Sequence, residues 1–322
     1  YTLVAHELEL AQAGVLAVWM LALNGAVALA YAWIEKRLAA PGRVVPLPRQ
    51  RPSSLGQRAA LALALCILLL VCAAPLLAIL GRAFSALVWG QGAAVLLEAD
   101  TLAALWNTVR FSVLAVLLAT VLGLTHALAV RALDAAGRVY GASGTVGAGA
   151  LVWRAAAFLP FVVSPVTVAF GLLLLYPQWT ASLGLLVAAY ALLAYPFVAK
   201  SITVALDSLP AHYAQAAASL GARPWRLFWR VTLPLVSRAL RRGMAFAAAT
   251  ALGEFAVTLF LSRPEWTTLT TLIYQRLGRP GAANLDAALV LACLLMALAL
   301  LAFLLIEGPQ AQPDRAPPRP SA

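Results

Sequence analysis

Ionisable side chains interrupt the apolar runs of this sequence, among them Arg110, His126, Lys200 and Glu254. A charge placed in such a run is costly and marks either function or a paired packing role. Glu254, in Ala251-Leu252-Gly253-Glu254-Phe255, stands deepest in its run. Beside the flexible Gly253 it could meet a cation or close a gate; equally, it could pair with a polar group and glue two helices together, and both readings stay open. Arg110 and Lys200 lie near the ends of their runs, where long side chains snorkel to the interface. His126 is also near an end and reads as a packed ring. No run pairs carboxylates or groups histidines, so no catalytic residue and no metal site is expected. Cys66, Cys72 and Cys293 are isolated within apolar runs, without CxxC or Cys/His spacing, and read as buried small hydrophobes rather than disulfide or zinc ligands. Gly-x4-Gly-Lys-Ser/Thr is absent, and no Gly-Lys pair occurs anywhere in the sequence. The chain therefore lacks this nucleotide-phosphate loop, no cofactor is expected, and energy must come from a partner.

One sharply spaced motif remains, inside the longest polar interruption, 207–242. Gln215-Ala216-Ala217-Ala218-Ser219-Leu220-Gly221 is followed by nine residues and then Val231-Thr232-Leu233-Pro234. Pro210 suits the first turn of a helix and Gly221 the position just past its end, where positive φ is needed, so a short helix is predicted over Ala211 to Leu220. Ala214, Ala217 and Ala218 share one face at spacings of three and four. A surface that smooth has little side-chain entropy to lose and fits a partner's groove. Beyond the glycine turn, Trp225, Phe228 and Trp229 alternate with Arg223, Arg226 and Arg230, the pattern of an interfacial amphipathic helix meeting membrane lipid. Pro234 is expected to bend the chain into the next apolar run.

These residues sit on a chain that is 63% apolar and 11% charged over 322 residues, with mean hydropathy +0.89. That composition lies far outside the soluble globular range and identifies an integral membrane protein. A net charge of +11 and a pI near 10.3 could point to nucleic acid. The basic residues instead fall in short loops beside apolar runs, the signature of the cytoplasmic side, so no nucleic-acid partner is expected. A hydrocarbon core of about 30 Å takes about 20 helical residues, and this ruler predicts seven spans: 10–34, 59–80, 107–130, 155–176, 183–206, 243–262 and 285–306. Six basic residues between 36 and 58 put that linker in the cytoplasm. Alternation then puts 81–106, 177–182 and 263–284 outside and 131–154 and 207–242 inside. The loop 263–284 carries Arg263, Arg276 and Arg279 against Glu265, late in the chain where charge bias counts less. Pro160, Ser164-Pro165 and Gly171 interrupt one span and Pro196 the next, so kinks or local unwinding are expected there.

The motif resembles the cytoplasmic "EAA" loop of the membrane subunits of ATP-binding-cassette (ABC) importers: Glu-Ala-Ala, three residues, Gly, nine residues, Ile-x-Leu-Pro. Ala216, Ala217, Gly221, Leu233 and Pro234 match; Val231 stands for Ile, and Gln215 for the Glu, whose carboxylate could contact a partner or cap the helix. Leu252-Gly253-Glu254-Phe255, Arg263-Pro264, Thr270 to Tyr274 and Leu277-Gly278-Arg279-Pro280-Gly281 look like the closing section of permeases of the thiamine and ferric-iron branch. Val163 to Gly171 leans to the thiamine side. The resemblance implies an all-α polytopic transmembrane helical bundle, a six-helix permease core plus one preceding helix, in the inner membrane. It implies a cytoplasmic ABC ATPase dimer that grips the helix at 211–220, a solute-binding protein outside, and a second permease half. On this reading 1–35 is the last helix of a preceding fused unit, 36–58 a cytoplasmic linker, 59–306 the permease domain with coupling loop 207–242, and 307–322 a disordered cytoplasmic tail. Starting at Tyr1 rather than Met, the sequence reads as a fragment. Thiamine or a thiamine phosphate is the first substrate expectation, and ferric iron the next. Ser164, Pro165, Gly171, Gly253 and Glu254 are the candidates for the translocation pathway. The rival class is an ion-coupled secondary transporter or channel without an ATPase, which needs a denser set of intramembrane charges or an inverted repeat.

Overall fold

A computed structural model describes residues 10–38, 52, 54–89, 92–140, 145–157, 159–180 and 182–308, and every regular element among them is helical. In chain order these are α1 (Leu10–Leu38), α2 (Leu55–Trp89), α3 (Gly92–Leu97), α4 (Ala99–Tyr140), α5 (Thr145–Ala156), α6 (Leu159–Val162) and α7 (Pro165–Leu175). There follow α8 (Leu183–Ser208), α9 (Ala211–Ser219), α10 (Pro224–Leu227), α11 (Leu233–Leu252), α12 (Ala256–Leu261), α13 (Leu269–Leu277) and α14 (Ala282–Glu307). The tail expected at 307–322 lies outside the described residues beyond Gly308, as does most of the linker 36–58.

The bundle is built around α8. Ser182 starts it, its Oγ accepting from Leu185 N–H at 3.2 Å, which satisfies one of the amide donors a helix start leaves free. α8 packs along α4 on one side and α11 on the other, burying Tyr190, Val198 and Ile202 completely. The contact faces are alanine-rich: Ala115, Ala119 and Ala127 on α4, Ala189, Ala191 and Ala194 on α8, Ala245, Ala247 and Ala248 on α11. In a membrane, where lipid tails are as apolar as leucine, small residues drive helix packing by letting backbones approach. Two glycines take this furthest. A Cβ on Gly123 would lie 2.7 Å from Val198 Cβ, and one on Gly243 would lie 2.8 Å from Val198 Cα. Three helices thus meet at one valine.

Among the described residues, four helices are long and apolar enough to cross a membrane: Leu55–Trp89, Ala99–Ala136 within α4, Leu183–Ser208 and Ala282–Glu307; Val18–Tyr31 and Pro165–Leu175 are shorter apolar stretches. Two expected spans are broken. In place of 155–176 the chain forms α5, the single turn α6 and then α7, with Ser164 extended (φ −60°, ψ 133°) and Pro165 in the first turn of α7. The proline ring drives the residue before it out of the helical region and is itself preset for a helix start. In place of 243–262, α11 stops at Leu252 and α12 restarts at Ala256.

Other expectations change as well. Pro210 lies just ahead of α9 rather than in its first turn. Pro234 does not divide an interfacial helix from a span: helical backbone runs from Pro224 through a π-turn, Phe228–Thr232, into α11, with Pro234 in the first turn of α11. Pro196 and Gly171 lie inside continuous helices without unwinding them. Cys66 and Cys72 are exposed rather than buried, because α2 buries none of its most apolar window and leaves that surface for lipid.

The ion pairs sort by expected membrane side. Arg276 pairs with Glu98 and Arg82 with Asp286, all expected outside. Arg154 pairs with Asp134 and Asp207, and Arg242 with Glu307, all expected inside. Glu98 thus offsets part of the basic excess of the loop 263–284.

Candidate functional site

The candidate coupling helix α9 lies in the chain between α8 and α11, the two helices that pack on each other at the centre of the bundle. Its end is closed by a linked set of bonds: Gly221 N–H donates to Ala218 O at 2.9 Å and Ala222 N–H to Ala217 O at 3.0 Å. This is the Schellman arrangement, and it needs the left-handed residue that Gly221 supplies with φ +73°. α9 then folds back on α10 and the π-turn. Gln215 and Ala216 are exposed and Ala217 is half-buried, while Val231 and Leu233 are half-buried and Pro234 is exposed. Gln215 is the fifth residue of α9, beyond reach of the free amides at the helix start. A glutamate there would not cap the helix, so the Gln change bears only on contact with a partner.

Beyond the turn, the rings of Trp225 and Trp229 stack edge to face at 5.3 Å and those of Phe228 and Trp229 at 5.5 Å. Trp225 stays 71% exposed, and Arg223, Arg226 and Arg230 are exposed beside it. Aromatic rings and guanidinium groups together suit the headgroup layer.

Both roots of this loop are tied by charge. Downstream, Arg242 Nε reaches Glu307 Oε1 at 3.3 Å. Upstream, Arg154 of α5 donates to Asp207 Oδ2 from Nη1 and Nη2, each at 3.2 Å, and also to Asp134 of α4. Burial works against the Arg154 charge, but the hydrogen bonds and charges of Asp134 and Asp207 outweigh it and hold the guanidinium above its ordinary pKa. Sequence reasoning counted these three residues only as loop charges. The available signal was that Asp134 and Asp207 are acids in loops otherwise read as basic.

Of the pathway candidates, the structure brings the two breaks together: α7, which begins after Ser164, packs against α12, which begins after the break at Gly253. Gly171 is part of α7. Glu254 is 7% exposed, and its Oε1 accepts from Val257 N–H at 3.0 Å, capping α12. The carbonyl freed by the break accepts from Thr270 Oγ1 at 2.9 Å and Tyr190 Oη at 3.3 Å, and Tyr190 Oη also meets Thr258 Oγ1. Irregular backbone at membrane depth persists only when its polar groups are satisfied in this way. Nearby, Asn107 Nδ2 donates to Glu265 O and Thr267 O at 2.9 and 3.1 Å, and Thr108 Oγ1 accepts from Leu269 N–H at 2.9 Å, fastening the loop ahead of α13 to α4. Sequence reasoning missed these polar anchors, which are ordinary helix residues until the loop folds onto them.

The described residues form an all-α bundle with long apolar helices and a glycine-closed helix between α8 and α11, the architecture of a polytopic membrane protein. Residues 147–307 match the family model of the binding-protein-dependent transport system inner membrane component. The molybdenum transport system permease protein ModB of Haemophilus influenzae is 32% identical over 158 residues, 44% of this chain and 69% of that protein. The sulfate transport system permease protein CysW of Synechocystis is 30% identical over 256 residues, 73% of this chain and 87% of that protein. A putative 2-aminoethylphosphonate transport system permease protein, PhnV, of Salmonella typhimurium is 29% identical over 154 residues, 47% of this chain and 57% of that protein. In fold, the chain is similar to one in the crystal structure of a bacterial alginate ABC transporter in complex with an alginate pentasaccharide-bound periplasmic protein. The TM-score is 0.58 at 19% identity, covering 77% of this chain and 92% of that one. The chain belongs to the binding-protein-dependent inner-membrane permease family. It is a multi-pass inner-membrane subunit of an ABC importer, a transporter component and not an enzyme, which works with a binding protein and a separate ATPase.

Proposed function

We propose that α9, with Gln215, Ala216, Ala217, Gly221, Val231, Leu233 and Pro234, is the contact through which the ATPase drives this permease. The observation that carries the reading is a helix closed by Gly221 and set between α8 and α11, which exposes Gln215, Ala216 and Ala218 and leaves Ala214 and Ala217 half-buried. Membership of the importer family accounts for the energy source and removes the need for an ion-coupled mechanism. Gly221→Trp puts a bulky side chain at φ +73°, where only glycine is unstrained. It is expected to abolish co-purification of the ATPase and ATP-dependent uptake. Retention of both would overturn the coupling reading.

For the solute we favour a small oxyanion. Relatives named for molybdenum, sulfate and 2-aminoethylphosphonate support that choice, whereas the thiamine and ferric-iron expectation rests on the short segments at 163–171 and 252–281 alone. Uptake of labelled molybdate, sulfate, thiamine and ferric iron, each assayed separately in proteoliposomes, tests it: uptake of thiamine or iron without uptake of either oxyanion sinks it. We place the pathway beside the packed breaks, with Ser164, Pro165 and Gly253 at the breaks, Gly171 within α7 and Glu254 shaping the second break. A second permease half completes the pathway. Its fusion ahead of α1, with residues 1–35 as its last helix and 59–306 as the separate permease domain, is supported by the lone helix and basic linker and by no relative.

A further inference from the structure

Between α8 and the candidate coupling helix lie only Leu209 and Pro210. A push on α9 therefore arrives first at the last turn of α8, where Asp207 stands. Its carboxylate shares one guanidinium with Asp134, which comes from α4, while the guanidinium itself belongs to α5. Three elements separated by 20 and 53 residues in the chain meet on one side chain. Arg154 is 18% exposed and its two acidic partners 22% and 48%. Without it, two like charges would face each other across the α4–α8 contact. An arginine fork is rigid and planar and can serve two carboxylates at once; a lysine ammonium is a point charge that cannot reproduce that geometry.

One bridge alone leaves a swivel. A second contact layer joins the same three elements. The ring of His126 on α4 stacks on Trp153 of α5 at 5.3 Å and an interplanar angle of 13°, and lies 5.9 Å from Tyr195 of α8. Tyr195 Oη also donates to Ala156 O at 3.1 Å. Trp153, Arg154 and Ala156 thus hold α5 to both neighbours at two levels, which removes the relative rotation that a single bridge would allow.

We propose that Arg154 is a positioning residue for coupling: with Asp134 and Asp207 it makes the root of α9, α5 and the cytoplasmic end of α4 move as one body, so that displacement of the coupling helix reaches the membrane. This rests on the coupling reading of α9 given above. The test uses the assembled transporter, this chain with its second permease half, ATPase and binding protein, with Cys66, Cys72 and Cys293 replaced by serine and spin labels at His212→Cys on α9 and Val121→Cys on α4. In the parent the inter-label distance stays as one narrow peak with and without ATP. In Arg154→Gln and Arg154→Lys the peak broadens and shifts with ATP. Stimulation of ATP hydrolysis by the binding protein falls by about fivefold or more, while unstimulated hydrolysis persists. An assembled Arg154→Gln transporter with the parent's peak and stimulation overturns the proposal. If Arg154→Gln does not assemble, Asp207→Asn and Asp134→Asn, which each leave the guanidinium one carboxylate, take its place under the same criterion. A parent chain that does not hold the ATPase sinks the coupling reading instead, so the two failures are distinguishable.

Discussion

At the scale of single residues, Val198 sets how closely three helices approach, because Gly123 and Gly243 leave it room from opposite sides. Gly243→Leu would drive a side chain into the Val198 backbone, where a Cβ alone already falls at 2.8 Å. Overpacking of this kind costs about 1–3 kcal/mol or more. The thermal transition of the detergent-solubilised protein, followed by size-exclusion chromatography, should drop clearly for Gly243→Leu and stay put for Gly149→Leu, where nothing lies within 4 Å. Glu254 gives a second prediction. Glu254→Gln keeps an oxygen acceptor for Val257 N–H and should be mild, whereas Glu254→Leu leaves that amide unsatisfied and loses about 1 kcal/mol of capping, with a further penalty for a free donor at membrane depth. Equal stability of the two variants in the same assay would refute the capping role. Gly221 was legible because one backbone conformation demands glycine. Glu254 was not, because a carboxylate in an apolar run looks the same whether it lines a route or caps a helix.

Among the elements, the π-turn Phe228–Thr232 is the one that changes the picture most. It inserts an extra residue between the Trp-bearing α10 and α11, and such turns mark local strain kept for a reason. Deleting Arg230 should let the turn close as ordinary α-helix with little change in the direction of the ring face, because the five residues of the wider turn cover nearly the rotation that one fewer covers at about 100° per residue. Quenching of tryptophan fluorescence by brominated lipid should therefore stay close to that of the parent; a clear fall would mean that the wide turn itself aims the rings. The short helix, its glycine stop and the Trp/Arg segment could all be read from residue types, since caps and turns are local. The two broken spans were legible only as interruptions by Pro and Gly. That their outer pieces, α7 and α12, pack on each other could not be read, because pairing between elements 90 residues apart depends on tertiary contacts that no spacing encodes.

For the whole molecule, apolar length made the all-α class legible, because a bilayer leaves a chain that crosses it few other forms, while charge bias supplied the expected sides of the loops. The order of packing was hidden, since nothing in an apolar run marks α8 as the centre and α2 as the rim. Cysteines test the arrangement in intact cells with a membrane-impermeant maleimide. Arg279→Cys should label from outside, Arg226→Cys only after lysis, and Cys66 and Cys72 in neither case despite their exposure, because lipid covers α2. Labelling of Arg226→Cys in intact cells would reverse the topology. The unbroken length of α4 carries one more consequence. From Asp134 at the clamp to Asn107 at the outer loop, a straight helix extends about 40 Å, and a tilt of about 5° about its inner end swings the outer end by about 3.5 Å. On the coupling role proposed for Arg154, α4 would be a lever whose input is held by that side chain and whose far end carries the loop that Asn107 grips, and a small angular change at the clamp would become a displacement wider than a water molecule at the other end.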